Sequence, residues 1–242
     1  MSSWETIPLS EIADVITSNV DKKSRDNELP VQLCNYMDVY SHEYINPNID
    51  FMIATATNQE VRKFGLKKND VLITKDSESP FDIGVPSILR TDIPNLLSGY
   101  HLSIIRTKND LVFPDFLAFY FNHGRTKSYF SQRATGSTRF GLKQSTIENL
   151  PVSYPKDANI QKKICEVLLL LDNQIEETEK LIAKQELIRE GLMQDLFTRG
   201  VDENGELRPS YERRQSSTMK RNWDGYQKDG TAMNFPNLQT YR

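Results

Sequence analysis

The stretch from Asp157 to Gly200 constrains this chain more than any other. It holds no proline and one internal glycine, Gly191. Two rows spaced seven residues apart run along it. One is Ile164, Leu171, Thr178, Gln185 and Leu192; the other is Leu168, Ile175, Ile182, Arg189 and Leu196. Seven of these ten positions are apolar, and Leu181 and Ile188 flank them. That repeat on an uninterrupted helix predicts packing along its length against a second helix. About 38 residues at 1.5 Å each span roughly 57 Å, more than one small domain covers. The polar positions Thr178, Gln185 and Arg189 predict a specified register rather than a sliding seam. Ile164 and Leu168 are expected to pack partly against the domain they emerge from.

Residues 1–156 read as that domain, 157–200 as the long helix that packs against another helix, which the resemblance given below makes a coiled-coil spacer and dimerisation helix, and 201–242 as a poorly ordered extension without periodicity. The domain reads as mixed α and β. Residues 31–40, 70–75 and 99–107 are strand-like, rich in Val, Ile, Leu and Tyr. Tyr36 and Tyr40 fall in the first of these and read as core positions. "DSESPFDIGVP" (76–86) is a polar loop. "FPDFLAFYFNHG" (113–124) is a helix opened by Pro114 and Asp115 and stopped by Gly124, and "RTKSYFSQRA" (125–134) is a second. "STIE" (145–148) predicts a short helix capped by Ser145 and Glu148, ending at Pro151.

The formal charge of −3 hides an uneven distribution. Phe116 through Ile147 hold no Asp or Glu, yet include Arg125, Lys127, Arg133, Arg139 and Lys143. Local basic density of this kind suits a polyanion better than the net charge suggests. The start of the chain lacks the pattern of a signal peptide, and no apolar run reaches the roughly 18 residues of a membrane span. The expectation is a cytoplasmic protein without membrane contact. Cys34 and Cys165 form no paired motif and sit in apolar patterns, so both are expected as buried free thiols.

Catalysis has no visible seat. His42, His101 and His123 are scattered without metal-ligand spacing, and no phosphate-binding glycine loop or nucleophile elbow is present. Asp21 and Lys23 have the spacing of a metal-nuclease pair but no acidic partner upstream, and "DKKSRDNE" reads as a solvated turn. No metal is expected.

Four stretches, in order, resemble half of the DNA-specificity subunit of type I restriction–modification enzymes: "WETIPLSEIADVI" (4–16), "FGLKKNDVLITKDSESPFDIGVPSIL" (64–89), "GSTRFGLKQSTIENLPVSYP" (136–155) and "IQKKICEVLLLLDNQIEETEKLIAKQELIREGLMQDLFTRG" (160–200). The last, with its Leu-Asp and Gly-Leu-Met-x-x-Leu ending, is the most specific. The resemblance implies an α+β target-recognition domain followed by one long helix that forms an antiparallel coiled coil with a second copy. It also implies a non-catalytic subunit that reads one half of a bipartite site on double-stranded DNA. S-adenosylmethionine would be carried by a modification (methyltransferase) subunit that acts on adenine, and Mg and ATP by a restriction subunit. The full-length family pattern has two such arrangements in tandem; this chain has one, so a homodimer is expected. The competing reading is a coiled-coil adaptor with a mixed α/β head that binds no DNA.

Candidate DNA-facing residues follow from side-chain chemistry. Lysine and hydroxyl groups suit phosphates and base edges, which selects Lys75, Ser77 and Ser79 after the "DVLIT" run. Arg125, Lys127 and Arg133 lie on or between the two helices, and Arg133 has the fork for guanine. Gln132, Thr135, Ser137, Thr138, Arg139 and Lys143 form a loop in which Gly136 and Gly141 would let backbone N–H groups approach phosphate. Lys22, Lys23 and Arg25 complete the set.

Overall fold

The computed structural model describes residues 4–108 and 110–208. They divide between two compact units, Met1–Leu171 and Asp172–Arg242.

The first unit opens with β1 (Trp4–Pro8), one helical turn α1 (Leu9–Ile12) and β2 (Ala13–Thr17). Next come β3 (Leu29–Cys34), α2 (Tyr36–Tyr40), β4 (Tyr44–Ile45), β5 (Met52–Ala56) and α3 (Asn58–Phe64). Four strands follow, β6 (Val71–Thr74), β7 (Asp76–Ser77), β8 (Pro86–Leu89) and β9 (Leu96–Ser98), then β10 (Leu102–Thr107). α4 (Pro114–Asn122), α5 (Gly124–Ser131), β11 (Phe140–Gly141), α6 (Gln144–Glu148) and β12 (Pro151–Pro155) complete the domain, and α7 (Ala158–Arg199) leads out of it.

The main sheet has the order β2-β10-β6-β8-β4, antiparallel except for the parallel β8–β4 edge. Strands β6 and β10 are apolar on both faces because both faces are covered. Their alternation sends Val71, Ile73 and Ile105 into one core with Phe116, Leu117, Phe121 and Phe130 from α4 and α5. Leu72, Leu102 and Ile104 enter a second core with Val39 of α2, Phe51 and Leu89. A three-stranded sheet, β5-β3-β9, holds a third cluster around Phe64 of α3. β1 pairs with β12, so the first and last strands of the domain close on each other.

The strand expectations hold for β6 and β10, and Pro114 does open α4. Three local expectations are corrected. Of the first run only Val31 to Cys34 lies in a strand, β3, which begins earlier at Leu29; Tyr36 and Tyr40 lie on α2, whose start is fixed by Asp38 Oδ2 accepting from Asn35 N–H at 2.7 Å. Gly124 does not stop a helix but begins α5, and His123 caps α4. Lys143, not Ser145, is the N-cap of α6, with no side-chain cap bond, and Pro151 begins a strand.

α7 is rooted by Gln161, whose buried amide donates to Leu111 O (2.7 Å) and Pro155 O (2.9 Å) while its oxygen accepts from Phe113 N–H (3.1 Å). Ile164 packs against the α4/α5 core and Cys165 is buried beside it, as expected of this end of the helix. Cys34 and Cys165 are both free and buried. Among the described residues no helix is long and apolar enough to cross a membrane.

In the second unit Ile175, Leu181, Ile182, Ile188, Leu192 and Leu196 are all exposed along α7, and Phe197 with them. After the helix, Val201 pairs with Leu207 across a turn, and Arg199 Nε donates to Arg208 O at 2.7 Å. The extension thus begins with a turn that folds back on the end of α7; residues 209–242 lie outside the described residues.

Candidate nucleic-acid interface

The two-residue strands β7 and β11 assemble the site. Their antiparallel pairing sets Phe140 opposite Ser77 and Gly141 opposite Asp76, and Leu142 N–H donates to Lys75 O at 2.8 Å. The loop after β6 is thereby joined to the loop after α5. Gly136 makes the second loop possible: at φ 146° it lies where L-residues are strained, and a Cβ there would stand 1.9 Å from Arg139 O.

The result is a groove of about 650 Å³ lined by Lys22, Ser77, Ser79 and Arg139, all candidates from the sequence. It is also lined by Tyr36, Met37, Tyr40, Asp76, Glu78, Asp82 and His101, which the sequence reading missed. Tyr36 and Tyr40 are one helical turn apart and stack with ring centroids 5.4 Å apart and 15° between planes. Tyr40 OH donates to Asp82 Oδ2 at 2.7 Å, and that bond raises its pKa above the usual phenol value. Burial raises that of Tyr36, against the opposing pull of a hydrogen bond with Ser77. His101 Nδ1 lies 2.9 Å from Asp76 Oδ2, and Lys75 Nζ lies 3.5 Å from the same oxygen. Next to Asp82, Phe81 is 83 % exposed.

The remaining candidates are placed elsewhere or are already engaged. Arg25 is held by Glu28 (2.9 Å) and Asp21 (3.2 Å) and lines a different depression with Thr57, Glu60 and Lys63. Lys23 is exposed, and its backbone N–H donates to Asp21 Oδ1 in the turn read from "DKKSRDNE". Arg125 lines an apolar depression with Trp4, Phe119, Tyr120 and Leu168. Lys127 is exposed on α5. Arg133 stacks on Tyr129, its guanidinium carbon 4.0 Å from the ring centroid. Gln132 ends α5, and Ser137 and Thr138 are exposed beside Arg139. Thr135 and Gly141 exchange backbone hydrogen bonds at 3.1 and 2.9 Å, so the Gly141 N–H is spent on the loop itself rather than open to a phosphate. Lys143 is exposed at the start of α6.

One signal for the missed tyrosines was available: Asn35 and Asp38 stand at helix-capping spacing, which turns "NYMDVY" from strand to helix and puts both rings on one face. Strands of two residues leave no periodic signal, so the joining of the loops had none.

The description "Type I restriction modification DNA specificity domain" fits residues 1–186, and the chain belongs to that family. It is similar to a protein provisionally described as the specificity subunit of the type I restriction enzyme MjaX of Methanocaldococcus jannaschii, 24 % identical over 210 residues, covering 86 % of this chain and 48 % of that one. The chain thus spans about half the length of the curated relatives it matches. Among solved structures, the S subunit of the type I restriction–modification system of M. genitalium aligns with a TM-score of 0.52 and 16 % identity, over 81 % of this chain and 46 % of that one. A chain solved in work on the assembly and conformational transition of the type I R-M system aligns with a TM-score of 0.61 and 16 % identity, over 81 % and 45 %. These neighbours share the fold: a mixed α/β domain followed by a long helix.

Proposed function

We propose that this chain is the non-catalytic DNA-specificity subunit of a type I restriction–modification complex and reads one half of a bipartite site. The observation that carries this is the groove, in which Lys22, Ser77, Ser79 and Arg139 converge with an aromatic pair on one concave surface. Lysine, arginine and hydroxyls meet phosphates and base edges. Adenine methylation would belong to a modification subunit carrying S-adenosylmethionine, and cleavage to a restriction subunit using Mg and ATP.

A second half-site requires a second recognition domain. The exposed apolar rows of α7 supply a surface for a second copy, and antiparallel pairing would separate two domains by a spacer of fixed length. Major-groove positions recur about every 34 Å, a distance a long helix pair can bridge. Co-purification with a modification subunit, followed by genome-wide mapping of adenine methylation, tests the assignment. A split palindromic motif is the expected result. Absence of both co-purification and methylation would overturn it and leave the DNA-free adaptor.

A further inference from the structure

The groove is not lined by cations alone, as a surface that met only phosphates would be. Its lining carries three carboxylates, Asp76, Glu78 and Asp82, against the two cations Lys22 and Arg139. Affinity for a duplex comes from neutralising phosphates, and each carboxylate close to the backbone works against it. These acids therefore need a complement of another kind.

They are not equivalent. Asp76 is already met by His101 at 2.9 Å and Lys75 at 3.5 Å. Glu78 is exposed on a longer, freer side chain. Asp82 is short, half-buried, and held through Oδ2 by the Tyr40 hydroxyl at 2.7 Å. Tyr40 is in turn stacked on Tyr36 within α2, so the carboxylate is oriented by a fixed element. Among the described residues no hydrogen bond engages its other oxygen, Oδ1, which is left as an acceptor. An ionised carboxylate accepts and never donates. In the major groove the donors on base edges are the exocyclic amino groups, cytosine N4 and adenine N6.

Building on the DNA-reading assignment above, we propose that Asp82 selects a base bearing an exocyclic amino group at one position of the half-site, with Tyr40 as its positioning residue. Thymine and guanine present acceptors there, which face the carboxylate with repulsion rather than a hydrogen bond.

The test uses the full chain, together with any modification subunit that co-purifies, and enrichment from a random duplex library. The wild-type chain is expected to enrich adenine or cytosine at one position. Asp82→Ala, which leaves no side-chain acceptor, should reduce discrimination there roughly 10-fold while the other positions keep their preferences, which also shows that the variant is folded. Tyr40→Phe should weaken the same position, less strongly, and no other. A second measurement replaces the selected base by its analogue lacking the amino group. That change should cost the wild-type chain about 10-fold in affinity and the Asp82→Ala chain little. If Asp82→Ala retains every preference, or if removing the amino group costs both proteins equally, the role of Asp82 is overturned. If Asp82→Ala fails to fold, Tyr40→Phe and the analogue series decide the question. A wild-type chain that enriches no sequence would overturn the DNA-reading assignment itself, an outcome distinct from failure of Asp82 alone.

Discussion

Arg106 grips Asp70 with both arms of its guanidinium, Nε to Oδ1 at 2.7 Å and Nη2 to Oδ2 at 2.6 Å. Asp70 is 1 % exposed and lies in the "KKND" turn, where Asn69 takes φ 73° and Lys67 N–H donates to Asp70 Oδ2 at 2.8 Å. Arg106 Nη2 also donates to Gly65 O at 3.0 Å, tying the turn before β6 to the end of β10. The hydrogen bond to Asp70 raises the Arg106 pKa further above the working range. Arg106→Met leaves a buried carboxylate without its partner, and a loss of about 3 kcal/mol is expected. Urea denaturation checks it; a shift below 1 kcal/mol would show that Asp70 is neutralised by another route.

The groove separates the basic residues by role. Lys22→Ala and Arg139→Ala should each weaken duplex binding, and each should lower the slope of log affinity against log salt by about one if it meets a phosphate. Arg25→Ala should change neither, because its guanidinium is held by Glu28 and Asp21. Binding titrations at several salt concentrations distinguish the three. Equal losses at all three sites would point to a diffuse basic face rather than the groove.

Desolvation pushes the Cys165 thiol up to about 11, and that of Cys34 is also well above the usual value. At pH 9 the Cys165 thiolate is then about 1 % of the population, where an unshifted thiol would be about half ionised. Alkylation of the native chain by iodoacetamide should be slow at pH 9 and fast for both cysteines in urea. The sign for stability follows: a thiol pKa raised by folding costs nothing below the unfolded value and destabilises as pH climbs from about 9 towards 11. Rapid native labelling of Cys165 would show that the root of α7 opens.

The extent to which the sequence disclosed this architecture depends on the length of each pattern. The α7 rows repeat over more than four heptads and are legible throughout, as are β6, whose apolar run Val71 to Ile73 reflects burial on both faces, and β10, with Leu102, Ile104 and Ile105. Ser145 misled because a capping-box sequence is satisfied only if the backbone turns there, and the chain turns at Lys143 instead. At the site, Lys22, Ser77, Ser79 and Arg139 were chosen by side-chain chemistry and do meet. Tyr36 and Tyr40 read as core positions because their run resembles a strand, and Asp82 reads as part of a polar loop; the β7–β11 pairing, between segments about sixty residues apart, brings Arg139 to the same groove.

In the proposed homodimer, the register of the helix pair follows from what the helix already covers. Ile164 packs on its own domain and Leu168 is half-buried beside Trp4, so the free seam runs from Leu171 to Leu196. Pairing that span antiparallel with its copy sets Leu171 opposite Leu196, Ile175 opposite Leu192, Thr178 opposite Arg189 and Ile182 opposite Gln185. Apolar layers then close both ends, Thr178 meets Arg189, and Ile182 with Gln185 is the one kind of layer that sets an aliphatic side chain against a polar one. The register one heptad closer to the domains sets Leu168 opposite Leu192 but buries Leu171 against Arg189 and Ile175 against Gln185, which strands more polar groups beneath aliphatic ones. A chain carrying both Leu171→Cys and Leu196→Cys should therefore oxidise to a covalent dimer, whereas Leu168→Cys with Leu192→Cys should not. The reverse pattern on a non-reducing gel would assign the other register, and a monomer at every concentration in sedimentation would remove the dimer altogether. Deleting seven residues between Asp172 and Glu179 shortens the paired seam by about 10 Å. At 3.4 Å per base pair the unread spacer of the methylated motif should then contract by about three base pairs with both half-sites unchanged.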